Sequence, residues 1–184
     1  MLPKLNRVIW LSEISDDDLV ENQAFAYDLP DQKVAHILRL LKLGHPTTDG
    51  FVITPKAFLE FLEENNLKAK IKHLLETVNF DDLDSVLKVS KHIKKYIIEG
   101  NLPESLIKEV RDAYKKFGGI FNDSSVTIRF PGIVLKEKEA KGDASLLQKI
   151  KEAWALAFDH QDLNHRHKNN LNHFEINPVL IIQK

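Results

Sequence analysis

The stretch GHPTTDGFVITPKAFLEFLEENNL, Gly44 to Leu67, is where the local signals of this chain agree on a fold. Pro46, Asp49 and Gly50 predict a tight turn, and Phe51-Val52-Ile53 is a short apolar run of β type. Thr54 followed by Pro55 predicts an N-cap with proline at the first helical position. The helix that follows carries Phe58, Phe61 and Leu62 on one face. Turn, strand, cap and helix follow one another within 24 residues, which is the grammar of a mixed fold.

Working outward, Val8-Ile9-Trp10-Leu11 has the pattern of a buried strand, and Ser12 to Asp18 offers several helix caps. Val34, Ile37, Leu38 and Leu41 form a helical stripe closed by Gly44. Downstream, Ile71, Leu74 and Leu75 mark a short helix. Asn79 or Asp81 is expected to cap the next, which turns Leu83, Val86, Leu87, Ile93 and Ile97 inward and ends at Gly100. Pro103 opens a further helix with Leu106, Val110, Ala113 and Phe117 inward. Val126 to Phe130 then alternates in the strand period, Pro131-Gly132 turns the chain, and Ile133-Val134-Leu135 is expected to return as a strand. Lys136 to Gly142 reads as a charged connector with nothing apolar to bury. Asp143 or Ser145 caps a helix with Leu146, Leu147, Ile150, Trp154 and Phe158 inward. Val179 to Ile182 is a closing strand, which must pair with an earlier strand of this chain or complete the sheet of another polypeptide. The expected class is α+β (mixed α/β).

Composition narrows the function classes. The chain has 184 residues, 43% hydrophobic and 29% charged, with 26 Lys and Arg against 27 Asp and Glu. A net charge of −1 supplies no footprint for nucleic acid or an anionic membrane. Cysteine is absent, which removes thiolate catalysis and sulfur-bound zinc and fits a reducing compartment. No apolar run reaches membrane-spanning length, so the expectation is a cytoplasmic protein with no nucleic-acid or membrane partner. Lys88, Lys91, Lys94 and Lys95 lie opposite an apolar helix face and read as a solvated surface. Asp16-Asp17-Asp18 and Asp81-Asp82 stand where helices begin and read as caps. His160, His165 and His167, with His173, Asp159, Asp162 and Glu175 nearby, are the densest set of metal-ligand residue types. Their spacing matches no ligand pattern, so surface histidines are the simpler reading and no metal is expected.

Three blocks in order carry a resemblance: VIWLSEIS at Val8 to Ser15, the opening stretch with its Gly50-Phe51 pair and helix, and KIKEAWALAFDHQDLNHR at Lys149 to Arg166 leading to VLIIQK. Together they resemble the N-terminal nucleotide-binding region of phosphoenolpyruvate synthase and pyruvate phosphate dikinase, which is of the ATP-grasp type. The resemblance implies residues 1–184 as a single ATP-grasp-like N-terminal lobe, with a helical subdomain over 54–118 inserted within it. It also implies the family's activity, phosphoryl transfer from ATP through a histidine on a separate domain to make phosphoenolpyruvate from pyruvate. Such chemistry requires cations on the phosphates, magnesium on carboxylates and exclusion of water.

The same resemblance locates departures. The family's early Gly-Gly-Lys-Asn turn brings a lysine to the ATP phosphates; here Glu21-Asn22-Gln23-Ala24 places Gln23 where that lysine stands. Glutamine donates a hydrogen bond but neutralises no charge. The family's strand arginine, followed by Ser-Ser-Ala, corresponds to Arg129, here followed by Phe130-Pro131-Gly132. Arg129 and Gln23 are therefore the candidate nucleotide-binding residues, and no catalytic residue is assigned. The expected cofactor is ATP or ADP with Mg2+, bound weakly or not at all. The family's magnesium carboxylates and phosphorylated histidine belong to later segments than this chain contains. The expected function is a non-catalytic binding or interaction module. The alternative is one subunit of a split ATP-dependent phosphotransferase, with a protein partner supplying the missing lobe.

Overall fold

The computed structural model describes residues 6–13, 49–118, 124–130, 137–174, 176 and 178–184. Among these, five strands form one antiparallel sheet: β1 (Val8–Trp10), β2 (Gly50–Ile53), β3 (Ser125–Arg129), β4 (Glu137–Lys141) and β5 (Leu180–Gln183). Their spatial order is β1-β2-β5-β3-β4. Six helices accompany them: α1 (Pro55–Glu64), α2 (Leu67–Thr77), α3 (Leu83–Glu99), α4 (Glu104–Gly118), α5 (Asp143–Leu156) and α6 (His160–Lys168). The fold is α+β, as the sequence leads one to expect. Among the described residues no helix is long and apolar enough to cross a membrane.

The main core cluster lies on one face of the sheet, and on the other face Val52, Ile181 and Gln183 of the central strands are buried as well. Trp10, Phe51, Ile53, Val126, Ile128, Leu180 and Ile182 point into a single buried cluster with Phe58, Phe61, Ile93, Ile97, Leu106 and Trp154 from the helices. Aromatic rings tie the layers: Phe58 and Phe61 lie 5.2 and 5.4 Å from Trp154, and Phe51 stacks on Phe117 at 5.6 Å. Each such side chain, fully withdrawn from water, contributes roughly 1.5–3 kcal/mol of transfer free energy. At one corner Arg7 donates to Glu109 (3.1 Å), Glu60 (3.1 Å) and the Ser105 hydroxyl (2.8 Å), joining the start of β1 to α1 and α4.

The opening stretch folds as read from Asp49 onward, with Phe58, Phe61 and Leu62 buried. One detail differs. Thr54 occupies the N-cap position of α1, but its hydroxyl makes no cap; it donates to the Asn6 carbonyl (3.0 Å), and the Thr54 amide donates to the Arg7 carbonyl (2.9 Å). The threonine thus stitches the segment before β1 to the end of β2.

Other expectations are corrected. The cap of α3 is neither Asn79 nor Asp81 but Asp82, which accepts from the Asp84 amide. Leu83 and Leu87 are not inward: they are 58% and 40% exposed, while Val89 and Ser90 are buried in their stead. The helix docks through the face that meets α5 and α6, where the Ser90 hydroxyl donates to the Phe158 carbonyl (2.8 Å). Neither Asp143 nor Ser145 precedes α5 as its cap; Gly142, at φ +81°, does. The charged connector is in part a strand, since Glu137 to Lys141 pairs residue by residue with β3. An edge strand needs partners for its backbone more than apolar bulk, and charges on it deter further pairing. Its one apolar residue, Ala140, is only 2% exposed. The stripe at Val34 to Leu41 and the return strand at 133–135 lie outside the described residues.

The closing strand resolves the choice left open by sequence. β5 sits at the centre of the sheet, with Phe51↔Ile182 on one side and Ile128↔Ile182 on the other, so both its neighbours come from this chain. Close approach there demands a glycine: a Cβ at Gly50 would stand 2.5 Å from the Ile182 carbonyl oxygen and 2.9 Å from Gln183 Cγ.

Candidate functional site

Arg129 ends β3. The strand alternates, with Val126 and Ile128 buried and Ser125 and Arg129 exposed, so the arginine is carried on the sheet face that turns away from the helical core. Its backbone is held on both sides, opposite Glu137 of β4 and Ile181 of β5. The beginning of β3 is braced by Tyr114 of α4, whose buried hydroxyl donates to the Ser124 carbonyl and accepts from the Gly142 amide (2.8 Å). One side chain thereby fixes the residue before β3 and the turn after β4.

Cross-strand register gives Arg129 its company. Thr127 lies two residues before it on the same face and is directly opposite Gln183 of β5, which is in turn opposite Gly50 of β2. Gln183 is buried, at 4% exposure, and the absent side chain of Gly50 leaves room for its Cγ. A guanidinium, a hydroxyl and a buried carboxamide thus share one face of two adjacent strands. Of these, the exposed guanidinium and the half-buried hydroxyl are the donors within reach of solvent. Thr127 and Gln183 were not singled out from sequence. Thr127 was detectable as the residue alternating with Arg129, and Gln183 as the only polar residue in VLIIQ, but their adjacency depends on a pairing across 56 residues of chain. Gln23 lies outside the described residues, as does Asp16-Asp17-Asp18.

The histidine segment folds as α6 and its exit. Asp159 precedes the helix and contacts His160 Nδ1 through one carboxylate oxygen (2.7 Å) while accepting from Lys94 through the other (2.9 Å). Lys94 is therefore engaged in an ion pair and is not part of an open basic stripe. His167 stacks on Phe80 with ring centres 3.8 Å apart and planes 4° from parallel; His173 also lies nearly parallel to Phe80, at 5.4 Å. His165 is exposed. On one helix, His160 and His167 are separated by about 10 Å along the axis and His165 is turned about 140° from His160. Three imidazoles so placed cannot share an ion at bond lengths of about 2 Å. Among the described residues no group of three or more His, Asp or Glu is arranged to hold a metal.

Burial is the main perturbation in this segment. Arg166 is buried, its pKa lowered by desolvation and raised in part by Asp162. It donates to the Ala157 carbonyl (2.6 Å) and lies over the Phe158 ring at 5.8 Å. His173 is pushed down to about 4, first by burial, then by the positive charge of Arg166 and by His167.

Against known proteins, the model of the pyruvate phosphate dikinase AMP/ATP-binding domain matches residues 32–184. Phosphoenolpyruvate synthase of Aeropyrum pernix is 28% identical over 192 residues, covering 96% of this chain and 22% of that protein. A probable phosphoenolpyruvate synthase of Methanocaldococcus jannaschii is 24% identical over 191 residues, covering 96% of this chain and 15% of that protein. Phosphoenolpyruvate synthase of Helicobacter pylori is 28% identical over 160 residues, covering 79% and 20%. The chain thus spans between 15% and 22% of the length of these relatives.

Proposed function

Since the chain belongs to the pyruvate phosphate dikinase AMP/ATP-binding domain family, we propose that it is a non-catalytic binding module descended from that domain. In this reading it retains a contact for nucleotide phosphate and has lost phosphoryl transfer. Residues 1–184 form one lobe, and the helices between β2 and β3 are an insert within it.

The observation that carries the reading is a contrast between two cation positions. Arg129 is kept, exposed at the end of β3 two residues after the half-buried Thr127. The place of the family's lysine is taken by Gln23, and Phe130-Pro131-Gly132 follows the arginine where the family has small polar residues. A guanidinium alone can hold an anion. Transfer of a phosphoryl group requires charge neutralisation on the oxygens that gain charge, which a carboxamide does not provide.

The test is calorimetry with ATP, ADP and AMP, with and without Mg2+, paired with an assay of ATP consumption in the presence of pyruvate. We expect binding heat that Arg129→Ala reduces at least ten-fold, little dependence on Mg2+, and no turnover. Phosphoenolpyruvate formation abolished by Arg129→Ala would overturn the loss of catalysis; absence of heat at millimolar ligand would overturn nucleotide binding. The alternative, a partner chain that supplies the missing lobe, drew on a terminal strand in search of a neighbour. That motive disappears, because β5 is flanked by β2 and β3.

A further inference from the structure

A groove of about 820 Å3 lies on the helical side of the sheet, between α1, the first turns of α2 and the segment entering β5. Arg129 faces the other way. The size is that of small-molecule sites, roughly 300–1,000 Å3. Phe58 and Leu62 of α1, almost wholly buried, form its floor, Phe174 and Ile176 of the incoming segment are partly exposed along it, and Leu59 stands at its edge 52% exposed.

One end of the groove is electrostatically distinct. Asn66 precedes α2 in a left-handed conformation, φ 51°, and its side chain makes no cap, so the first-turn amides of an 11-residue helix receive no acceptor from it. Lys68 and Lys72, one turn apart on α2, both line the groove, against one acid among the described lining residues, Glu63. Lys72 reaches Glu76 at 3.9 Å, but both side chains are well exposed, and such a pair is easily exchanged. Two ammonium groups and the positive end of a helix thus border an apolar trough.

We propose that this groove binds a soluble anionic amphiphile of the acyl-carboxylate type. The carboxylate lies at Lys68, Lys72 and the start of α2, where helix polarity and ammonium charge act together. The acyl chain lies against Leu59, Phe174 and Ile176, above the floor formed by Phe58 and Leu62. Arg129 is not among the residues that line this groove.

The structure provides a reporter. Trp154 packs 5.2 Å from Phe58 and donates its indole N–H to the Pro178 carbonyl (3.1 Å), and both Phe58 and Pro178 line the groove. Dodecanoate, added below its micellar concentration, is expected to change Trp154 emission saturably, with one-to-one stoichiometry by calorimetry on the unaltered chain. Dodecanol is expected to bind at least ten-fold more weakly. The Lys68→Gln/Lys72→Gln double variant, both sites exposed, should weaken dodecanoate at least ten-fold and dodecanol less than two-fold. Ala69→Phe, an exposed position in the lining, should obstruct both ligands. Equal affinities for acid and alcohol, indifference to the lysines, retained binding in Ala69→Phe, or no saturable binding would each overturn the proposal. Association with phosphatidylglycerol vesicles without binding of free dodecanoate would also overturn it, by assigning the surface to a membrane.

Discussion

His173 is held neutral by its surroundings. Its ring lies parallel to Phe80, its Nδ1 is buried with no hydrogen-bond partner among the described residues, and Arg166 and His167 disfavour a further proton. With a folded-state pKa near 4 against 6.5 for a free histidine, the unfolded chain takes up a proton that the folded chain refuses. Its contribution is fully present above pH 6.5 and is lost as pH falls from 6.5 to 4. Because the side chain is only partly enclosed, solvent screens the effect, and we expect a loss of about 1–2 kcal/mol over that window. The difference in urea stability between the unaltered chain and His173→Asn, followed from pH 7 to 4, isolates it from carboxylate titration, and the imidazole resonance of His173 should titrate near 4. Loss of stability with the same pH slope in both proteins would contradict this. Little of it was legible in sequence, where His173 was one of four histidines in a polar run. Burial came from a stack on Phe80, some 90 residues earlier, which no local pattern encodes. Arg129 is the opposite case: alternation in VTIRF fixed its face, and only its neighbour Gln183 needed the register of a distant strand.

Among the elements, helix spacing was readable and helix orientation less so. In α1 the aromatic residues at positions 58 and 61 left one choice of buried face. In α3 leucines at 83 and 87 competed with Val89 and Ser90, and docking against α5 and α6 settled the contest in favour of the latter. Periodicity tells which residues share a side; the partner decides which side is covered. β4 was read as a connector for the related reason that a strand formed by pairing leaves little trace in composition. Its dependence on one small side chain is testable. Ala140→Glu would force a carboxylate into the cluster beneath the sheet, and we expect a loss of at least 2 kcal/mol in chemical denaturation. Glu139→Ala, on the exposed side of the same strand, should remain within about 0.5 kcal/mol. Equal tolerance at the two positions would mean that the strand is not seated on the core.

At the level of the molecule, the sheet is closed by contacts between the most distant parts of the chain. β2 and β5 pair with Phe51 opposite Ile182, and β5 in turn carries β3 and β4. Shortening the chain to end at Pro178 should therefore cost more than an edge: β1-β2 and β3-β4 lose their common neighbour. The expected result is a non-cooperative thermal transition by circular dichroism, with helix signal remaining; a sharp transition within about 5 °C of the full chain would contradict it. Pairing over such sequence separation also slows folding relative to a helical bundle of the same size. The position of β5 has a consequence for synthesis as well. On a translating ribosome the helices between β2 and β3 emerge and can begin to pack while the sheet is still two unconnected ribbons. These ribbons, with their inner edges open, must wait until Gln183 has cleared the exit tunnel. For that interval the nascent chain depends on its charged residues, or on a chaperone, to keep those edges from finding each other on neighbouring copies.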